Sequence, residues 1–287
     1  MNIELDDIKK PLSPYPELDN VLINYSERLK DLLGETLLGV YLQGSLAIGD
    51  FDLTSDVDFV VITATDLTDE QVKLVQNLQN LIYSQNNRWV KRLEYSFIPK
   101  RALMVHSSPF DENAQLNKDN QKFWYFDNGS KDIEQSDHCN TLVTRWTLRE
   151  KGITVIGPDI KTLTTPILPN ELRKEIKSTM IGWAKLILAD PGSVNNRFYQ
   201  SYLVLNYSRM LHDLIEGRVD SKLKGLEWAK KNLDPKWIPL IDYCWEERKD
   251  TEIHISQSAK PEIFTQSLAF VKYVVDQANN FKMPVST

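Results

Sequence analysis

Apolar residues recur every three to four positions over 18–33, at Leu18, Val21, Leu22, Tyr25, Leu29 and Leu32. This spacing gives a helix one buried face, and Gly34 stands where a helix-ending glycine belongs. The next run, LLGVYLQ over 37–43, is short, apolar and stopped by Gly44-Ser45, which reads as a strand. A second strand is expected over 56–63 (DVDFVVIT) and a third over 91–98. Between them a helix over 68–83 opens on the capping-box-like Thr68-Asp69-Glu70-Gln71. Residues 100–136 are polar, with Pro, Asn and Gly scattered around the aromatic run 123–126, and read as one long surface loop. A helix over 138–150 and a short apolar strand over 153–156 end this half at Gly157-Pro158. Beyond Pro166 the spacing is helical throughout, over 172–188, 198–216, 223–232, 238–248 and 261–279. The expected fold is an α/β (α+β) N-terminal domain with a mixed sheet over residues 1–157. An all-α helical bundle over 158–287 follows it.

Composition changes this picture little but narrows the partners. A chain of 287 residues, 41% hydrophobic and 26% charged, is an ordinary globular protein long enough for two domains. Its net charge of -6 and pI near 5.4 lack the sequence-independent attraction for phosphate backbones that nucleic-acid binders use, so no nucleic-acid partner is expected. A small, cationic partner suits an acidic surface better. Cys139 and Cys244 are far apart and fit no metal or redox spacing. The first residues lack an apolar signal region and no run of roughly 18 apolar residues occurs, so a cytoplasmic protein with no membrane partner is expected.

Candidate chemistry concentrates between Gly44 and Val61 (GSLAIGDFDLTSDVDFVV). A Gly-Ser leaving a strand for a short helix brings backbone N–H groups and a hydroxyl close to phosphate oxygens. Strand alternation puts Asp56 and Asp58 on one face and Val57, Phe59 and Val61 on the other. Two carboxylates sharing a half-buried face repel unless a cation joins them, and magnesium suits a site made of one or two carboxylates plus substrate phosphates. In the third strand Leu93, Tyr95 and Phe97 alternate against Glu94. If the two strands are neighbours, Glu94 joins the aspartates as general base, metal ligand or both.

The pattern G-S-x-A-x-G-x5-S-D-x-D-x-x-V resembles the signature of the polymerase-beta-like nucleotidyltransferases. The order Leu93-Glu94, a boundary strand and a helical second half resembles the aminoglycoside 3''/9 adenylyltransferases, the streptomycin and spectinomycin resistance enzymes. The resemblance implies two Mg2+ ions on Asp56 and Asp58 and ATP as nucleoside triphosphate co-substrate. It implies Gly44, Ser45 and Ser55 at the nucleotide, Glu94 as catalytic base, and the helical domain completing the cleft for a small-molecule hydroxyl acceptor. Ser208-Arg209 and Lys222 with Glu227-Trp228-Ala229 resemble the family's helical segments, which implies Arg209 and Lys222 at the triphosphate. Trp124 is the residue matched to an aromatic that packs on the drug. Where the streptomycin and spectinomycin enzymes carry Asp-Glu-Arg-Asn, this chain has Tyr199-Gln200-Ser201-Tyr202, which leaves a lincosamide or a metabolite open as acceptor.

Each residue also has a plainer reading. Ser55-Asp56 can cap a turn, Glu94 can pair with Lys91 or Arg92, and Arg209 and Lys222 can be ordinary helix-surface bases. His106, His138, His212 and His254 show no metal spacing, and the tryptophans other than Trp124 read as packing residues. A catalytically silent nucleotide-binding module is the alternative to an enzyme.

Overall fold

The computed structural model describes residues 11–103, 122–250 and 255–284; His106 and His254, together with residues 104–121 of the expected 100–136 loop, lie outside the described residues. In the N-terminal half, α1 (Pro16–Leu33) leads into β1 (Leu37–Leu42), α2 (Gly44–Ile48), β2 (Val57–Thr63), α3 (Asp69–Tyr83), β3 (Leu93–Pro99) and α4 (Lys100–Leu103). After the undescribed segment come β4 (Phe123–Phe126), β5 (Glu134–Ser136), α5 (Leu142–Lys151) and β6 (Ile153–Ile156). The helical half runs α6 (Pro169–Ala189), α7 (Arg197–Glu216), α8 (Lys222–Asn232), α9 (Ile238–Arg248) and α10 (Pro261–Asn280).

The sheet order is β5-β4-β3-β2-β1-β6, mixed because β2 and β3 run parallel while every other neighbouring pair is antiparallel. Alternation decides what each face buries. Phe59, Val61, Tyr95, Phe97 and Phe126 pack under α1 and α3, against Leu22, Tyr25, Leu29, Val75 and Ile82. Val60, Ile62, Ile98, Phe123 and Tyr125 face the other way, against Ala102, Leu103 and Leu148. A separate apolar core joins α6 to α10, centred on Leu203, Leu211, Ile241, Phe270 and Val274. Among the described residues no helix is long and apolar enough to cross a membrane.

Local chemistry explains several element ends. Gly34 ends α1 at φ 53°, and Thr68 closes a full capping box, its hydroxyl accepting from Gln71 N–H while the Gln71 side chain accepts from Thr68 N–H. Two expectations need correction. The aromatic run 123–126 is not loop but strand β4, paired on both sides by β3 and β5. Because Phe123 and Tyr125 bury on one face and Trp124 packs on the other, the run shows no polar alternation by which a strand could be recognised. The helix expected from 138 starts at Leu142, because Asp137 and Asn140 close a turn and the Thr141 hydroxyl accepts from Thr144 N–H as N-cap.

Candidate active site

The parallel register of β2 and β3 sets Asp58 directly beside Glu94, and Asp56 precedes β2 on the same side. One carboxylate oxygen from each of Asp56, Asp58 and Glu94 lies within 4.8 Å of the others. Burial is the largest influence on Asp58 and drives its carboxyl well above the usual carboxylate range. The charges of Asp56 and Glu94 push it the same way, against Lys222 and Arg209. Hard oxygen donors this close could hold a divalent cation.

The acids form one wall of a cleft of about 550 Å3 that both halves of the chain line. Gly44 has φ 57°, and a Cβ there would collide with the Asp58 carboxylate, so only glycine allows this approach of backbone to acid. The next residue, Ser45, has a buried Oγ with no hydrogen-bond partner among the described residues, an orphan donor at the edge of the cleft. From the helical half, α7 contributes Arg209, whose guanidinium donates to Asn206 Oδ1 at 2.8 Å, and α8 contributes Lys222, whose ammonium sits 5.4 Å from the centre of the Tyr202 ring. Burial lowers the Lys222 ammonium and Arg209 lowers it further, while Asp56 and Asp58 pull it back up. These two helices touch where Gly225 meets the Arg209 backbone; a Cβ on Gly225 would lie 2.5 Å from Arg209 Cα.

The two halves are tied at the rim. Asp52 pairs with Arg248 at 2.6 Å, and the Asp50 carboxylate accepts from Leu223 N–H at the first turn of α8, at 3.3 Å. The Glu175 carboxylate accepts from Leu142 and Val143 N–H, at 2.6 and 3.2 Å, which fixes the start of α5 on α6.

The structure thus brings together Gly44, Ser45, Asp56, Asp58, Glu94, Arg209 and Lys222 in one cleft. Ser55 lines it too, but its hydroxyl is engaged in the turn with Asp52, accepting from Asp52 N–H and donating to Asp52 Oδ1. Trp124 does not belong there. From β4 it pairs with Phe97 of β3 and packs, partly buried, on the α1 and α3 side of the sheet, the face opposite Glu94 and away from the cleft. Its neighbour Tyr125 points the other way and donates to Glu94 Oε1 at 2.8 Å. His138 Nε2 lies 3.0 Å from that oxygen, and its ring stacks on Tyr125 at 5.3 Å. Sequence reasoning gave His138 no role, because nothing local marks a histidine in a turn as neighbour to a strand residue more than forty positions earlier. From the Tyr199-Gln200-Ser201-Tyr202 segment, Ser201 and Tyr202 line the cleft together with Phe198, the Phe198 and Tyr202 rings stacked at 5.1 Å.

Comparison with known proteins agrees with this architecture. Residues 22–114 match the nucleotidyltransferase domain family, and residues 162–276 match the C-terminal domain of aminoglycoside adenylyltransferase. The chain is 25% identical over 231 residues to spectinomycin 9-adenylyltransferase of Staphylococcus aureus, covering 79% of this chain and 83% of that one. It is 23% identical over 234 residues to aminoglycoside (3'') (9) adenylyltransferase of Klebsiella pneumoniae, covering 77% and 84%. The crystal structure of spectinomycin adenyltransferase AAD(9) from Enterococcus faecialis with ATP and spectinomycin superposes with a TM-score of 0.61 at 14% identity, over 90% of this chain and 98% of that one, which establishes a shared fold. The protein is therefore an enzyme of the polymerase-beta-like nucleotidyltransferase class. Within that class it belongs to the aminoglycoside 3''/9 adenylyltransferase-like proteins, whose C-terminal helical domain it carries.

Proposed function

We propose that this enzyme transfers AMP from ATP to a hydroxyl of an aminocyclitol or aminoglycoside antibiotic, with spectinomycin the first acceptor to test. The single observation that carries the reading is the convergence of Asp56, Asp58 and Glu94 opposite Arg209 and Lys222 in one cleft, acids for cations and bases for phosphates. The relatives' names and the ATP and spectinomycin of the AAD(9) structure support the choice of substrates.

Asp56 and Asp58 would hold two magnesium ions, which supply neutralisation of the triphosphate charge. The orphan Ser45 hydroxyl and the backbone at Gly44 would hydrogen-bond the phosphates, and Arg209 and Lys222 would balance the charge that moves onto the leaving pyrophosphate, a reading supported by their shared cleft. Glu94 takes the proton of the acceptor hydroxyl as its oxygen bonds to the α-phosphorus, and the bond from that phosphorus to pyrophosphate breaks. Positioning and charge stabilisation do most of the work in such transfers. We place the domain boundary at Gly157-Pro158, with residues 1–157 bringing the acids and 158–287 the basic side chains and the acceptor wall. A cytoplasmic setting, where ATP is at hand, fits this reading.

Purified protein with ATP and Mg2+ should release pyrophosphate when spectinomycin is added. Streptomycin, a lincosamide and buffer alone serve as the comparison arms. Release with the lincosamide and not with spectinomycin would move the acceptor; release with none would contradict the reading.

A further inference from the structure

The Glu94 carboxylate is 9% exposed and is held by a single oxygen. Both of its partners meet Oε1, the Tyr125 hydroxyl at 2.8 Å and His138 Nε2 at 3.0 Å, while Oε2 accepts no hydrogen bond among the described residues. The two partners come from different elements, β4 and the turn ahead of α5, and their rings stack with 26° between planes. Tyr125 is braced further by Asp127, whose Oδ1 lies 3.0 Å from its hydroxyl. His138 has a side chain 59% exposed, so filling the core does not explain where it sits. A glutamate among repelling acids would otherwise be free to swing away from them about its terminal torsion, which has broad and shallow preferences.

We propose that Tyr125 and His138 are positioning residues for the transfer: together they fix Glu94 by Oε1 and reserve Oε2 for the proton of the acceptor hydroxyl. The inference rests on Glu94 acting as the base. Outer partners of this kind typically change activity about 10- to 100-fold when removed, because a reacting group displaced by about 1 Å loses its alignment. Nucleotide binding, by contrast, depends on Gly44, Ser45, Arg209 and Lys222, which neither residue touches in the proposed arrangement.

The test is a mutant cycle of H138A, H138Q and Y125F, each made with Glu94 present and in an E94Q background. It reads kcat and KM by pyrophosphate release with ATP, Mg2+ and spectinomycin, and nucleotide affinity by calorimetry with a non-hydrolysable ATP analogue. H138A and Y125F should each lower kcat about 10-fold with unchanged nucleotide affinity and unchanged melting temperature. H138Q should recover most of the loss, because its amide N–H can reach the same oxygen, and neither H138A nor Y125F should cost anything more once Glu94 is Gln. Wild-type turnover in H138A and Y125F with E94Q impaired would overturn the inference alone. So would an equal loss in the E94Q background, or failure of H138Q to recover activity. Wild-type turnover in E94Q would remove Glu94 as the base and the inference with it.

Discussion

Asp58 shows how one side chain sets the terms of the site. Its carboxyl keeps its proton more tightly in the fold than in the unfolded chain, because burial first and then the neighbouring Asp56 and Glu94 charges disfavour ionisation. A group raised in this way contributes stability below the ordinary carboxylate range, and the contribution is lost as pH rises through its raised value. At neutral pH without divalent cations, Asp58→Asn should therefore raise the melting temperature, by roughly 2–4 °C for a contribution of about 1 kcal/mol. The same substitution should cut turnover by about 10²- to 10³-fold, the scale for removing a preorganised charge from a transfer site. Magnesium with nucleotide should stabilise the wild type and leave the variant unmoved, all three read by thermal melts and pyrophosphate release. The pair Asp56 and Asp58 and the placing of Glu94 were legible in the sequence because strand alternation is a local rule. His138 and Tyr125 were not, since their approach to Glu94 depends on which strands are neighbours and on where α5 begins. Trp124 misled for a related reason: a run of aromatics buried on both faces carries no polar beat to tell strand from loop.

At the scale of elements, the helices of the second half were readable to within about three residues, because their apolar positions recur at helical spacing between clear starts and stops. What this spacing does not show is which helix packs where. The contact between α7 and α8 turns on Gly225, which lets the two backbones close at Arg209 and so brings Arg209 and Lys222 to the same cleft. Gly225→Ala puts a methyl group where backbone atoms stand, and overpacking of this kind costs about 1–3 kcal/mol. Because the two helices must separate at the residues proposed to face the triphosphate, the variant should also show a raised KM for ATP while its kcat falls less. An unchanged KM would mean that the helices do not set the basic side of the cleft. Strands β4 and β5 and the four-residue helix α4 were missed, being too short to show a periodicity of their own.

Over the whole molecule, the two halves meet through Ile48, Leu142, Val143 and Trp146, which pack on the helical core, and through polar ties at the rim of the cleft. The tie between Asp52 and Arg248 has a definite pH window. Burial tends to raise Asp52, but the hydrogen bonds from Arg248 and Thr54 outweigh it and hold the carboxyl down at about 2 against an ordinary 3.8. A depressed carboxyl stabilises the fold above its unfolded value and loses that contribution as pH falls through the depressed one, so the tie persists above 3.8 and releases towards about 2. With Asp52 46% exposed, solvent screening keeps its worth to about 1 kcal/mol or less. Arg248→Ala should accordingly leave the melting temperature nearly unchanged. It should weaken ATP by up to about 5-fold, the equivalent of about 1 kcal/mol, because the turn that Asp52 anchors carries the chain into Asp56.

In the proposed reaction, acids at β2 and β3 and bases from the helical half hold a nucleoside triphosphate for attack at its α-phosphorus. The most direct measurement supplies spectinomycin with ATP labelled at the α-phosphate in one tube and at the γ-phosphate in another, with Mg2+ in both. The account predicts label on the drug only from the α-labelled ATP, with one pyrophosphate released for each drug modified. Label arriving from the γ-phosphate, or α-label transferred at an unchanged rate after Asp58→Asn, would contradict it.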